Sequence, residues 1–149
     1  MIDVVMVVGA VGDSCLTPHV VNLTPPSPSY TRSDTTCNRG NGGAGIACLH
    51  GFDGGQDTVY KLVVSGGPVR VNISLNEGTG GTGRLRMALS ETCPPSGDCL
   101  TGRHVLRDVR LEPGVHYLWI DSWPVAKTGG GWTDCELYTV YIAGSVLAP

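Results

Sequence analysis

The sequence predicts an all-β fold: an antiparallel two-sheet, jelly-roll-like β-sandwich of about eight strands, with an extra strand at the N-terminus. Three observations carry that prediction. Apolar and polar residues alternate in runs of seven or eight, the period-2 mark of a strand with one buried face. Turns rich in the chain's 22 glycines and 10 prolines separate these runs, a density of breakers that a helical bundle would not tolerate. No window of about eleven residues repeats apolar side chains at helical spacing.

Composition narrows the class further. A chain of 149 residues suits a single domain with a sizeable core. Its net charge of −3, with only 15 % charged residues, argues against binding nucleic acid through overall basicity. No apolar run approaches the ~20 residues of a membrane helix, so membrane insertion is not expected.

Residues 1–11, MIDVVMVVGAV, are β-branched and apolar on both faces. Asp3 and the lack of Lys or Arg disfavour a signal peptide. A strand with two apolar faces needs cover on both sides, and at ~3.3 Å per residue this one could extend ~35 Å, enough to cross a neighbouring sandwich. Ile2, Val4, Val5, Met6, Val7, Val8 and Val11 are therefore the expected subunit-interface residues, and residues 12–149 the sandwich domain.

Residues 17–24 can form a first strand, while the polar, turn-rich stretch 25–45 reads as a surface loop. In DTVYKLVV, Tyr60, Leu62 and Val64 share a face. In VRVNISL, Val69, Val71, Ile73 and Leu75 alternate with Arg70, Asn72 and Ser74. RLRMALS sets Leu85, Met87 and Leu89 opposite Arg84 and Arg86. In residues 104–111, Val105, Val109 and Leu111 share a face that Arg107 interrupts, the signature of a bulge. Glu112-Pro113-Gly114 turns the chain into VHYLWID, apolar on both faces and so a central strand. The last strand, CELYTVYIA, faces Tyr138, Val140 and Ile142 inward.

Six cysteines, Cys15, Cys37, Cys48, Cys93, Cys99 and Cys135, include no C-x-x-C pair and no histidine at zinc-finger spacing. An even number in a Gly/Pro-rich domain points to disulfides and an oxidising compartment. The CPPSGDC turn can bring Cys93 and Cys99 into bridging range. Three pairings remain for the other four, of which Cys37–Cys48 and Cys15–Cys135 are preferred.

The order GDSC, a Cys-bearing loop, GGQDTVYKLVV, VRVNISL, the C…C turn, LRDVRLEPGVHYLWIDSW and CELYTVYI, from about Gly12 to Ile142, resembles the bacterial pre-peptidase C-terminal domain family. The resemblance implies a secreted jelly-roll-like sandwich of about eight strands, usually appended to exported proteases, some of whose relatives bind calcium or fibrous substrates such as collagen. Residues 1–11 lie outside that pattern. Asp13, Asp53, Asp57 and Asp98 are scattered and form no D-x-D-x-D-G loop, so no metal is expected.

No catalytic residues and no cofactor are expected. The chain has no G-x-S-x-G elbow and no H-E-x-x-H helix. GTGGTG lacks the Lys-Ser/Thr ending of a phosphate cradle. His19, His50, His104 and His116 read as structural, and His116 sits mid-strand. Arg70, Arg84, Arg86 and Arg110 could share one outward face able to engage an acidic glycan, against the alternative of solvated strand positions that discourage edge aggregation. Trp119 reads as core, with Trp123 and Trp132 bordering a loop. Asn22-Leu23-Thr24 and Asn72-Ile73-Ser74 fit the glycosylation sequon.

Two functions follow. The first is a non-enzymatic, secreted structural or interaction protein that self-assembles into an extracellular filament or surface array, residues 1–11 adding as a strand to the next subunit. The second is a monomeric accessory domain of an exported protease that binds a glycan or fibrous protein, with residues 1–11 folded back on their own sandwich.

Overall fold

The structure, a computed structural model, describes residues 14–37, 57–77, 85–95, 99–102, 104–122, 125–126, 132–133 and 137–145. It is all-β there. Strand β1 (His19–Leu23), β2 (Ser29–Thr35), β3 (Asp57–Val64), β4 (Val69–Asn76), β5 (Leu85–Ser90), β6 (Leu100–Gly102), β7 (Val105–Leu111), β8 (Gly114–Ser122) and β11 (Leu137–Ser145) build two sheets. The two-residue strands β9 (Val125–Ala126) and β10 (Trp132–Thr133) pair with each other.

Sheet A runs β1-β3-β8-β5-β6 and sheet B runs β2-β11-β4-β7. The alternating residues do what their period demands. Tyr60, Leu62 and Val64 of β3 and Leu118 and Ile120 of β8 meet Val69, Val71, Ile73 and Leu75 of β4 and Tyr138, Val140 and Ile142 of β11 in one buried core between the sheets. Burial of such side chains contributes ~1.5–3 kcal/mol apiece. β8 is the central strand of sheet A, flanked by β3 and β5.

Four features depart from the sequence reading. β1 pairs with β3 in parallel, so sheet A is not wholly antiparallel. The stretch read as a surface loop contains β2, which pairs with β11 over seven residues. Its inward positions are Tyr30, Arg32 and Asp34, an ionic edge with no apolar rhythm; Arg32 Nε lies 3.0 Å from Asp34 Oδ2. β6 is a three-residue edge, too short to leave a pattern. The fourth departure, the disulfide pairing, is set by tertiary structure. Cys15 bonds Cys93, with 5.7 Å between their Cα atoms, so neither Cys93–Cys99 nor Cys15–Cys135 forms. Both partners lie over a small second core of Val59, Ala88 and Trp119 on the outer face of sheet A, where Cys99 also packs. Cys37 and Cys99 are disulfide-bonded too, and no described cysteine is free. Cys48 and Cys135 fall outside the described residues, as do Ile2, Val4, Val5, Met6, Val7, Val8 and Val11.

The expected bulge is present, but Val105 does not share a face with Val109 and Leu111: the extra residue turns it outward, 37 % exposed, and Leu106 takes the inward place. Val71 pairs with Val109 and Ile73 with Leu106, so Arg107 and Asp108 together oppose Asn72. Asp108 takes a left-handed φ of 56°. Its N–H donates to Asn72 Oδ1 at 2.7 Å, and its carboxylate meets Arg70 Nη1 at 3.0 Å.

Candidate functional site: a neutral sheet face and an apolar cleft

Several buried polar groups act as fasteners between the sheets. Tyr60 on β3 and Tyr138 on β11 share a hydroxyl–hydroxyl hydrogen bond of 2.7 Å through the core. Burial, then the neighbouring Tyr138, pushes the Tyr60 phenol well above its ordinary value and keeps it neutral. His19 on β1 reaches across to β2, its Nε2 2.9 Å from Asp34 Oδ2, and its ring stacks on Tyr60 with centroids 4.9 Å apart. Asp34 also holds the Arg32 guanidinium in its charged form through their hydrogen bond. Thr58 Oγ1 donates to the Thr35 carbonyl at 3.2 Å.

The remaining histidines have structural partners as well. His116 Nε2 is 2.9 Å from the Glu112 carbonyl oxygen, and His104 Nε2 lies 3.7 Å from Glu77 Oε2. Glu77 Oε1 accepts the Leu85 N–H at 2.9 Å, fastening the start of β5. His50 lies outside the described residues.

The arginines do not form the shared face that strand alternation suggested. Arg70 and Arg110 are cross-strand neighbours on sheet B, but Arg86 belongs to sheet A, where it stands opposite Asp121 and that in turn opposite Asp57. Arg70 is paired with Asp108 and Arg110 with Glu112. Alternation assigns a residue to one side of its own strand; it does not say which sheet the strand joins. Arg84 lies outside the described residues. Trp119 is buried, as expected, but in the outer cluster and not between the sheets.

Beside those paired arginines, the outer face of sheet B carries three cross-strand rows that hold no formal charge on β2, β11 and β4, the first of them meeting Arg107 and Asp108 where it reaches β7. Ser29, Ala143 and Asn72 make one row; Thr31, Tyr141, Ser74 and Val105 the next; Ser33, Thr139 and Asn76 the third. Ser33 and Thr139 bond each other through their hydroxyls at 2.8 Å. Tyr141, 41 % exposed, stands in the middle row. Sequence reasoning missed this face because Ser, Thr and Asn at outward strand positions look like ordinary solvated residues; the exposed Tyr141 opposite inward Val140 and Ile142 was the available signal.

The second feature is a cleft of about 570 Å³ at the β6/β7 edge of the sandwich, lined among others by Leu89, Leu100, Val109 and Leu111, with Glu91 and Arg110 at its rim. That volume is within the ~300–1,000 Å³ of ordinary ligand pockets. At Gly102 the two edge strands are pressed together, since a Cβ there would sit 2.7 Å from both Leu106 Cδ2 and the Val105 carbonyl oxygen, whereas Leu100 in the cleft wall is 48 % exposed.

Fold and surfaces thus define a disulfide-bonded, all-β sandwich module. No family model matches the chain, and no curated protein does. Among solved structures it is similar to the pre-peptidase C-terminal domain of a collagenase from Bacillus anthracis, at 15 % identity and a TM-score of 0.46, over 84 % of this chain and 93 % of that one.

Proposed function

We propose that this chain is a non-enzymatic, exported interaction module that lays the outer face of sheet B against an insoluble neutral polymer, a glycan or a fibrous protein. The observation that carries this reading is the set of three uncharged rows around Tyr141. A flat, rigid array of hydroxyls and amides can exchange hydrogen bonds with a repeating polymer in many equivalent registers. The tyrosine ring adds apolar contact area at low entropic cost. Export is supported by the Cys15–Cys93 bond, since such bonds persist in oxidising compartments, and by the resemblance carried by the strand-and-turn order of the sequence. The test is retention on insoluble polysaccharide and on collagen. Tyr141→Ala should lower retention at least tenfold while leaving the thermal transition in place. Equal retention of that variant, or none of the unaltered chain, contradicts the reading.

A second reading is self-assembly into a filament or surface array through strand addition by residues 1–11, and the apolar cleft at the short β6 edge favours it. Removing residues 1–11 should leave a folded monomer by size-exclusion chromatography and no threads by negative-stain microscopy. Assembly unchanged by the truncation would contradict it.

A further inference from the structure

We propose that the cleft at the β6/β7 edge is the docking site of residues 1–11 of this same chain, filled by the molecule's own segment in isolation and by a neighbour's in an assembly. The intermolecular form rests on the self-assembly reading above; the docking itself does not.

The inference comes from where the segment is rooted. Val11 precedes Cys15 by four residues, at most ~14 Å of extended chain. Cys15 is bonded to Cys93, their Cα atoms 5.7 Å apart, and Cys93 directly follows Glu91 and Thr92 in the cleft wall. The disulfide therefore roots the segment one residue along the chain from Thr92 in the cleft wall. A tether this short holds its end at an effective concentration in the millimolar range.

The chemistry matches as well. Extended, residues 1–11 would place Ile2, Val4, Met6 and Val8 on one side, to meet Leu89, Leu100, Val109 and Leu111 in a lining whose other half is polar, with Ser90, Thr92 and Arg110 among it. β6 covers β5 only from Met87 to Leu89, and among the described residues it is the edge strand of its sheet, the position to which a further strand can add. The same short root also allows exchange between copies, because a neighbour's segment makes identical contacts once two molecules are close.

The test uses the full-length chain. Val4→Asp with Met6→Asp disables its own segment. A fluorescent peptide of residues 1–11 carrying a lysine tag is then titrated in. Saturable binding is expected, weakened at least tenfold when Leu100→Arg or Leu100→Asn is added, and weaker to the unaltered chain, whose own segment competes. Leu100 is half exposed, so both substitutions leave the fold intact, checked by far-ultraviolet dichroism. A photo-crosslinker at position 100 of the otherwise unaltered chain should capture residues 1–11, within one molecule or between two. Peptide binding unaffected by both Leu100 variants, or capture only of other segments, overturns the cleft assignment. The self-assembly reading is separate, and falls if the Val4→Asp/Met6→Asp chain assembles as the unaltered one does.

Discussion

At the scale of single residues, buried tyrosines act as fasteners. Tyr60 and Tyr138 join the sheets through one buried hydrogen bond. Tyr60→Phe removes this bond and should cost about 0.5–1.5 kcal/mol in denaturant titration, whereas replacing both tyrosines should cost less than the two single changes summed. The raised Tyr60 value also sets a pH dependence. Because the folded state holds the proton more tightly than the unfolded one, this contribution is complete below the ordinary tyrosine value of 10.0 and is lost as pH climbs above it. Alkaline unfolding should therefore become shallower in Tyr60→Phe. Asp108 is the second such residue. Its φ of 56° suits Asp, Asn or Gly, so Asp108→Val should lower stability by about 1–3 kcal/mol and Asp108→Asn by much less. The sequence located this bulge, because Arg107 breaks an otherwise regular alternation.

At the scale of elements, what could be read depended on whether an inward face was apolar. β3, β4, β8 and β11 announce themselves through Tyr60, Ile73, Leu118 and Val140, all fully buried. β2 could not be read, since Arg32 and Asp34 occupy its inward positions and find partners at the edge, with His19 among them. The parallel pairing of β1 and β3 was equally hidden, because side-chain period is the same in either direction. Disulfide pairing depends on which loops the fold brings together, and a five-residue spacing proved a poorer guide than shared burial against Trp119. The Cys15–Cys93 bond closes a sequence separation of 78 residues. Replacing both cysteines with serine should lower stability by up to about 4 kcal/mol on the chain-entropy estimate, read as a lower urea midpoint. That change should also free the root of residues 1–11 from the cleft wall.

At the scale of the whole molecule, the two sheets divide the work. Sheet A packs on the main core with one side and carries the Val59, Ala88 and Trp119 cluster beneath the disulfide on part of the other, where Val20 and Val115 stay exposed. Sheet B keeps its outer face open, and the arginines nearest that face are matched by Asp108 and Glu112. Tyr141, outward between Val140 and Ile142, was the one legible mark of the candidate surface; the rest is an absence of charge across three strands that are distant along the chain. A neutral surface makes a specific statement about salt. Retention on a neutral polymer should change little between ~0.05 and ~0.5 M salt, where an arginine-led contact with an acidic glycan would weaken strongly as screening shortens. The most direct measurement is amide chemical-shift mapping of the chain with a soluble oligosaccharide and with a triple-helical collagen-like peptide. For whichever binds, perturbations should centre on Thr31, Ser74, Thr139 and Tyr141, across β2, β4 and β11. Perturbations confined to sheet A or to the β6/β7 cleft would contradict the assignment of this face.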